Sequence, residues 1–416
     1  MGDSDDGQLP LDDALSSRAL VDAGQPLSLR DESGTAPEDR PFRPDVEGLR
    51  AVAIFMVVLF HSGVTQARGG FFGVDVFFVI SGFVITGLLL RERARTGTTS
   101  ILSFYARRAR RILPAAVLVI VVSLIATDAL VGRTYADLVA SDGRWTAVFL
   151  GNFHFTHLYP TFFVKRPASP LQHYWSLAVE EQFYLVYPAI FVTIMALPGM
   201  WSLRRRLGAA LVVIASISLA ISLLTSKVGN LVAYGSPFTH AWELALGALI
   251  AISTGSLEKV PHALAVLMAW TGLVLIVVAT LTIPVSVALP GTSTMLPVGG
   301  AALVIAGGAA APPRWGAEAL LRLAPFRWVG RWSYSWYLWH WPILVIAAAH
   351  VHTSVLGSSV WKNLGLSASA LVLAAMTYFC VENPIRHSRR LARNPGLTMI
   401  GAVLLIASCV AFTFVF

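Results

Sequence analysis

The chain has 416 residues, of which 56% are hydrophobic and only 13% are charged. Soluble domains carry about 25% charged residues, so this composition excludes a large water-soluble protein, a disordered protein and a fibrous repeat. The mean hydropathy of +0.67 predicts a membrane protein that crosses the bilayer several times.

The net charge of +8 divides unevenly along the sequence. Residues 1–42 hold ten acids against three arginines and show no hydrophobic periodicity, so we predict a disordered, acidic, cytoplasmic tail without chemistry of its own. The basic excess belongs to the rest of the chain, where arginines flank apolar segments. Membrane topology explains this placement better than nucleic-acid binding does, and no nucleic-acid partner is predicted.

The apolar runs predict an all-α, polytopic membrane bundle of about eleven transmembrane helices, because roughly 20 apolar residues cross a bilayer. The predicted spans are residues 51–66, 71–90, 112–132, 177–198, 208–226, 236–254, 262–283, 293–311, 333–351, 362–381 and 398–416.

The arginines between these spans predict the orientation. A cytoplasmic N terminus puts 21 basic residues on inner loops and 7 on outer loops, and eleven crossings then place the C terminus outside the cytoplasm. The moderately apolar residues 144–163 are not counted as a crossing, because that would move Arg204, Arg205 and Arg206 outside. We therefore predict that residues 133–176 form an outer loop with an interfacial or re-entrant piece.

The first span carries two ionisable residues, Arg50 and His61, separated by ten apolar residues. Eleven steps of 100° make three turns plus about 20°, so both side chains share one helix face, about 16 Å apart along the axis. Separately, Arg50 is typical of a snorkelling anchor and His61 of a hydrogen-bonded packing histidine. Together they indicate a polar path, with His61 as a general base because histidine titrates near neutral pH.

The second span contains a single acid, Asp75, near its outer end. A short turn, residues 62–70, links it to His61. We therefore predict that Asp75 orients His61 and fixes its tautomer, as acids do in other base-assisted acyl transfers. A capping or interfacial acid is the alternative.

The loop after the second span ends in an arginine cluster: Arg107, Arg108, Arg110 and Arg111. Four arginines in five positions exceed what orientation requires. Guanidinium groups match phosphate oxygens, so we predict a clamp for a phosphorylated cytoplasmic ligand. A patch for lipid headgroups is the alternative.

Two aromatic segments also carry ionisable residues. Residues 173–184 bring the paired acids Glu180 and Glu181 into an apolar helix, where one is expected to face the bundle and bind hydroxyls. Residues 331–342 are typical of an interfacial aromatic belt, but His340 lies within a predicted span and is expected to face a cavity. Glu243 is a further acid within the membrane.

The sequence shows no Walker-type glycine loop, HExxH motif, nucleophile elbow or cysteine cluster, since Cys380 and Cys409 stand alone in apolar runs. We therefore predict no bound metal and no permanently bound cofactor.

Together these segments resemble the acyltransferase-3 family of integral membrane O-acyltransferases, especially the bacterial members often fused to an external SGNH hydrolase-like domain. The resemblance covers about residues 43–390. The matching segments are Phe42–Arg50, the Arg50–His61 pair, Gly70–Phe83, Arg107–Pro114, His173–Tyr184, Tyr334–Pro342 and Glu382-Asn383-Pro384.

The resemblance implies a ten-helix acyltransferase domain over residues 43–390, followed by an extra transmembrane helix within 391–416. It also implies transfer of an acyl group, expected to be acetyl, from cytoplasmic acyl-CoA to a hydroxyl of a cell-envelope glycan, glycolipid or similar acceptor. It gives the following residues roles. Arg50 and His61 are essential, Arg107, Arg108 and Arg111 contact the donor, and Tyr174, Trp175, Ser176 and Glu180 lie near the acceptor.

Several points stay open at this level. No serine is flanked by a sequence that marks a nucleophile, so direct transfer and an acyl-enzyme are both compatible with the chain. No SGNH domain follows residue 416, so an external SGNH-type partner is expected if such a domain completes the reaction. Membrane lipid is expected around the helices. A transporter or flippase of lipid-linked saccharides and a non-catalytic envelope scaffold are the alternative functions.

Overall fold

A computed structural model of the protein describes residues 43–159, 167–197, 202–228, 230–310 and 315–416. The predicted acidic tail, residues 1–42, lies outside the described residues. Within the described ranges the chain is almost entirely helical, and a single antiparallel pair, β1 (Lys227–Val228) with β2 (Ala288–Leu289), forms the sheet structure. The prediction of a polytopic helical membrane protein is confirmed.

The helices are numbered in chain order. They are α1 (Pro44–His61), α2 (Gly73–Thr96), α3 (Ile101–Leu130), α4 (Arg133–Ala147), α5 (Gly151–Leu158), α6 (Tyr174–Ala196), α7 (Leu203–Thr225), α8 (Leu231–Tyr234), α9 (Pro237–Ile252), α10 (Thr254–Leu257), α11 (His262–Thr282), α12 (Met295–Gly307), α13 (Ala317–Leu321), α14 (Ala324–His350), α15 (Val360–Thr377), α16 (Asn383–Arg386), α17 (Arg389–Arg393) and α18 (Pro395–Phe412).

Each of the eleven predicted spans coincides with one of these helices. Seven helical segments are long and apolar enough to cross a membrane, namely Gly70–Thr96, Ile101–Leu130, Tyr174–Ala196, Leu203–Thr225, His262–Thr282, Val360–Arg393 and Pro395–Phe412, and Thr292–Gly307 is a shorter apolar helix. Among the other predicted spans, α1 carries Asp45, Glu47 and Arg50 within 18 residues, and α9 has only 16 residues. Polar side chains thus concentrate on α1.

The predicted outer loop, residues 133–176, contains two helices in its described part. At 1.5 Å per residue, the 15 residues of α4 span about 22 Å, which is less than the roughly 30 Å of hydrocarbon in a bilayer. The eight residues of α5 are shorter still. Both are therefore compatible with an interfacial or re-entrant piece.

The C-terminal helix α18 packs against α3. The guanidinium carbon of Arg133 lies 4.9 Å from the ring centre of Phe416, and that of Arg144 lies 4.8 Å from the ring centre of Phe414. These cation–π contacts attach the end of the chain to α4. The division of the chain near residue 390 stays a prediction.

Glycines allow a close helix contact between α2 and α9. A Cβ atom at Gly82 would overlap the backbone carbonyl of Leu244, and one at Gly247 would overlap that of Val79. The two backbones can approach this closely only where neither helix carries a side chain.

Gly82→Ala is expected to lower the melting temperature of the detergent-solubilised protein, because overpacking costs about 1–3 kcal/mol and a backbone carbonyl cannot rotate away. The matched control is Gly365→Ala in α15, where an added Cβ meets open space. Equal melting temperatures for the two variants would contradict the close α2–α9 contact.

Candidate active site

Arg50 lies on the face of α1 that packs against α14. Its guanidinium donates hydrogen bonds to Ser333 Oγ from Nε (3.2 Å) and Nη2 (3.0 Å), and Nε also lies 3.3 Å from the carbonyl oxygen of Gly330. The guanidinium carbon is 5.9 Å from the ring centre of Phe77 on α2. Arg50 is thus held between α14 and α2, inside the bundle.

His61 closes α1 and contacts α14 two turns beyond Ser333. Its Nδ1 lies 3.0 Å from Nε2 of His340, and its ring centre is 4.6 Å from the Trp341 ring centre. Because Arg50 and His61 both bond to α14, the prediction that they share one helix face is confirmed.

The hydrogen bonds of His340 define the tautomer of His61. His340 Nδ1 lies 2.7 Å from the carbonyl oxygen of Tyr337, and a carbonyl can only accept, so Nδ1 carries the proton. In neutral His340, Nε2 is then an acceptor, and His61 Nδ1 donates to it. A neutral His61 therefore keeps its lone pair on Nε2, which is the state a general base needs.

The predicted pairing of Asp75 with His61 is wrong. His340 is the partner of His61, and the Asp75 carboxylate lies instead beside His240, with Oδ1 3.8 Å from Nδ1. The reason is the rotation of α2 about its axis: Gly73 of its first turn packs against the Ala53 carbonyl of α1, whereas Asp75, two residues later, lies on the side that faces α9. Asp75 and His61 are close in the sequence because a short turn joins their helices, but their side chains do not face each other.

A small chamber of about 70 Å³ lies at the junction of α1, α2, α3, α6 and α14. Five of the predicted site residues line it: Arg50, Arg108, Arg111, Ser176 and Glu180. Phe77, Phe78 and Tyr337 are among the aromatic lining residues. The structure thus brings together donor-side residues (Arg108, Arg111) and acceptor-side residues (Ser176, Glu180) that lie about 65–72 positions apart in the sequence.

Hydrogen bonds hold the α6 side of the chamber. Glu180 Oε1 accepts from Ser81 Oγ at 2.5 Å and also from the Tyr184 hydroxyl. Ser176 Oγ lies 2.6 Å from the Tyr337 hydroxyl, which donates to the backbone carbonyl of His173. Glu180 and Ser176 are therefore fixed in position and border open space.

His61, Tyr174 and Trp175 are not among the chamber's lining residues within the described part of the chain. The buried Tyr174 hydroxyl donates to Ala116 O at 3.0 Å, and the Trp175 ring packs 4.8 Å from that of Tyr234. Tyr174 and Trp175 thus make packing contacts inside the bundle instead of lining the chamber. His61 connects to the chamber through His340 and Tyr337, because the Tyr337 side chain lines the chamber while its carbonyl binds His340.

The predicted arginine clamp separates into different positions. Arg111 and Arg108 border the chamber, and the Arg108 guanidinium lies 4.1 Å above the Tyr184 ring. Arg107 forms an ion pair with Glu92, and the described residues that line the two cavities do not include it. Arg110 donates to the carbonyl of Leu391 at 2.9 Å and so holds the start of the C-terminal helices.

A larger cleft of about 880 Å³ adjoins the chamber, and Arg50 and Arg111 border both. Its volume is in the range of cofactor and ligand pockets. Eight arginines and three glutamates are among its lining residues, so its charge favours an anionic ligand. These residues are Arg43, Arg50, Arg91, Arg111, Arg204, Arg322, Arg331, Arg386, Glu47, Glu258 and Glu382.

Glu382 belongs to the last segment of the predicted resemblance and borders the cleft. Its Oε2 accepts a hydrogen bond from Ser335 Oγ at 2.9 Å. It ends a π-helical turn, Tyr378–Glu382, and such turns inside helices occur frequently at functional sites. The resemblance includes Glu382 but implies no individual role for it.

Comparisons with known proteins identify the family of the chain. The sequence profile of the acyltransferase domain, type 3, matches residues 43–381. The chain is 33% identical over 384 residues to BcsY of Komagataeibacter xylinus, assigned by name as a membrane-bound transacylase, and the match covers 91% of each chain.

Two further relatives bear the name peptidoglycan O-acetyltransferase, in one case as an assignment only. The chain is 31% identical over 358 residues to YrhL of Bacillus subtilis, covering 82% of this chain and 55% of YrhL. It is 28% identical over 367 residues to OatA of Listeria monocytogenes, covering 85% of this chain and 57% of OatA. The chain thus spans little more than half the length of these two relatives.

No solved structure matches the chain. The profile match over most of the chain and the identity to BcsY along nearly its full length are sufficient to assign the family. The chain belongs to the acyltransferase-3 family and is a multi-pass membrane acyltransferase.

Proposed function

We propose that the chain moves an acyl group, acetyl in the simplest case, from acyl-CoA on the cytoplasmic side to a hydroxyl of a cell-envelope glycan, glycolipid or similar acceptor. One observation carries the proposal: an arginine-lined cleft is contiguous, at Arg50 and Arg111, with a chamber that also holds Glu180.

The cleft is assigned to the donor. Coenzyme A carries several phosphate groups, and guanidinium groups bind phosphate oxygens with paired hydrogen bonds. The eight arginines of the cleft are among those that the positive-inside count places on the cytoplasmic side, which supports donor entry from there. The pantetheine arm then passes between Arg50 and Arg111 and brings the thioester into the chamber.

His61 is assigned as the general base. Its Nε2 takes the proton of the acceptor hydroxyl, the oxygen attacks the thioester carbonyl, and the carbon–sulfur bond breaks. The coenzyme A thiolate leaves and takes up a proton, so the products are an ester and free coenzyme A. Arg50, at the boundary of the two cavities, stabilises the negative charge that develops on the carbonyl oxygen.

The route from the chamber to His61 passes Tyr337, whose hydroxyl contacts Ser176 and His173. The proposal therefore requires the Tyr337 side chain to move during turnover. Direct transfer to the acceptor and transfer through an acyl-enzyme both use the same base, and both fit this arrangement.

The names of YrhL and OatA make peptidoglycan one acceptor class to test, alongside glycolipids and exopolysaccharides. An external SGNH-type protein is proposed as a partner that completes transfer outside the membrane. The proposed topology has a cytoplasmic N terminus and an extracytoplasmic C terminus, with membrane lipid surrounding the helices.

Arg108→Ala is expected to raise the KM for acyl-CoA about tenfold with a smaller change in kcat, because it removes a charged group beside the donor path. Arg107→Ala is the matched control, since Arg107 is paired with Glu92. Steady-state release of coenzyme A from purified protein measures both. Equal KM values for Arg108→Ala and the unaltered protein would remove Arg108 from the donor site.

The test of function is a comparison of coenzyme A release with saccharide movement. Purified protein in liposomes is expected to release free coenzyme A from acetyl-CoA only when an acceptor with hydroxyl groups is present. Movement of a lipid-linked saccharide across the same liposomes without coenzyme A release would instead support the flippase alternative.

A further inference from the structure

Three buried ionisable side chains, none of which lines the chamber, meet where the first turn of α2 contacts α9, next to the chamber-lining residue Phe78. They are Asp75 from α2 and His240 and Glu243 from α9, and each side chain is 0% exposed. One ligand-type atom from each residue lies within 4.8 Å of the other two. The assigned acyl transfer uses none of the three.

Three of the four carboxylate oxygens in this cluster lack hydrogen-bond partners. Both oxygens of Asp75 and Oε2 of Glu243 are buried with no partner among the described residues. The rings of Phe78, Trp175 and Tyr234 lie 5.2–5.9 Å from that of His240 and surround the cluster with aromatic surface. A buried charge without a partner costs several kcal/mol, so the cluster needs a positive occupant.

His240 is oriented as a ligand. Its Nε2 lies 2.7 Å from the carbonyl oxygen of Tyr234, so Nε2 carries the proton and a neutral ring has its lone pair on Nδ1. Nδ1 lies 2.8 Å from Glu243 Oε1 and 3.8 Å from Asp75 Oδ1. Three acceptors thus face one another. Metal-binding histidines commonly donate their other N–H to a backbone carbonyl in this way.

We propose that Asp75, His240 and Glu243 bind one divalent metal ion of the zinc or manganese type. Imidazole nitrogen and carboxylate oxygen suit these ions. Ligand atoms at about 2.0–2.2 Å from a tetrahedral ion lie roughly 3.3–3.6 Å from each other. The His240–Asp75 pair at 3.8 Å is close to this spacing, and the His240–Glu243 pair at 2.8 Å would open slightly around an ion.

This site would revise the sequence-based prediction that no metal is bound. The proposed ligands are at positions 75, 240 and 243, and only His240 and Glu243 are close together in the sequence. No sequence motif therefore predicts the site. The ion would join the start of α2 to α9, at the helix contact that Gly82 and Gly247 make close farther along.

The first test is the metal content of the full chain, purified in detergent without chelators from cells grown with zinc and manganese. About one ion per chain is expected. Asp75→Asn and Glu243→Gln are each expected to lower this content at least tenfold. Asp142→Asn is the matched control, because Asp142 is a buried acid bonded to His154 at 2.8 Å, and it should keep the ion.

A second measurement covers the case in which the variants fail to fold. The unaltered protein is stripped with a chelator, and Zn²⁺, Mn²⁺ or Co²⁺ is returned. A rise in melting temperature and visible absorption bands of bound Co²⁺, both absent in Asp75→Asn, would support the site. If the unaltered protein purifies without metal and none of the three ions raises its melting temperature, the proposal is overturned, and the cluster holds shared protons instead.

Discussion

His61→Ala is expected to lower kcat for acyl transfer by about 10²–10⁴-fold, the range that a positioned general base contributes. The KM for acyl-CoA should change much less, because the cleft assigned to the donor is lined by other residues. The measurement is coenzyme A release by the purified protein with saturating acceptor. Amounts of folded protein are matched by size-exclusion chromatography.

The control for this substitution is His154→Ala in α5. His154 is also a half-buried histidine with a hydrogen-bonded side chain, at 2.8 Å from Asp142, but it belongs to another part of the fold. It should retain nearly full kcat. A His61→Ala variant that turns over at the unaltered rate would eliminate His61 as the base.

His340 is a positioning residue in this account, because it acts through His61. His340→Ala should lower kcat less than His61→Ala does. The double variant should be no slower than His61→Ala alone, since His340 has nothing to orient once His61 is gone. Independent, multiplicative losses would show that His340 acts on the reaction by a separate route.

Arg50→Ala is expected to produce the second large effect, a fall in kcat/KM of about 10- to 10²-fold. Loss of a hydrogen-bonded charged group costs about 1.5–3 kcal/mol, and each 1.4 kcal/mol corresponds to a factor of ten. The loss should be larger than for Arg108→Ala, because Arg50 borders both cavities and donates to α14.

Arg50→Lys separates charge from geometry. It keeps the positive charge but loses the planar group that reaches both Ser333 and Gly330, so we expect an intermediate kcat/KM. If Arg50→Ala keeps the kcat/KM of the unaltered protein, the boundary between cleft and chamber is not on the reaction path.

Helix periodicity made the most reliable predictions from sequence. It placed Arg50 and His61 on one face, and both bond to α14. Each of the apolar runs coincides with a helix because burial in lipid requires length and apolarity, which are local properties of the sequence. The predicted boundaries were wrong where polar residues belong to the helix. For example, α1 begins at Pro44 and includes Asp45 and Glu47, whereas the predicted span begins at residue 51.

The partner of His61 could not be predicted in the same way. Asp75 is close to His61 along the chain, but the rotation of α2 about its axis depends on its packing against α9, where Gly82 and Gly247 permit close contact. That packing joins residues about 165 positions apart. His340 was expected to face a cavity, but among the described residues it is not part of the lining of either one. Nothing local to it in the sequence indicated that it contacts His61.

The cleft shows a similar limit. Its arginines come from segments scattered between residues 43 and 386, and in the sequence all of them except Arg50 and Arg111 are explained sufficiently by membrane orientation. Only the fold shows that they line one cavity. The sequence instead predicted a phosphate clamp at the arginine cluster in residues 107–111. In the structure Arg107 forms an ion pair with Glu92, and Arg110 donates to the carbonyl of Leu391.

The central claim is that an acyl group enters from an arginine-lined cleft on the cytoplasmic side and leaves by attack of a hydroxyl that His61 activates. The most direct measurement uses inside-out membrane vesicles, with acetyl-CoA labelled in the acetyl group supplied only to the exposed cytoplasmic face. The account predicts labelled ester on envelope saccharide together with equimolar coenzyme A, and almost none from vesicles that carry His61→Ala. Equal labelling by both kinds of vesicle, or saccharide movement with no ester formed, would contradict it.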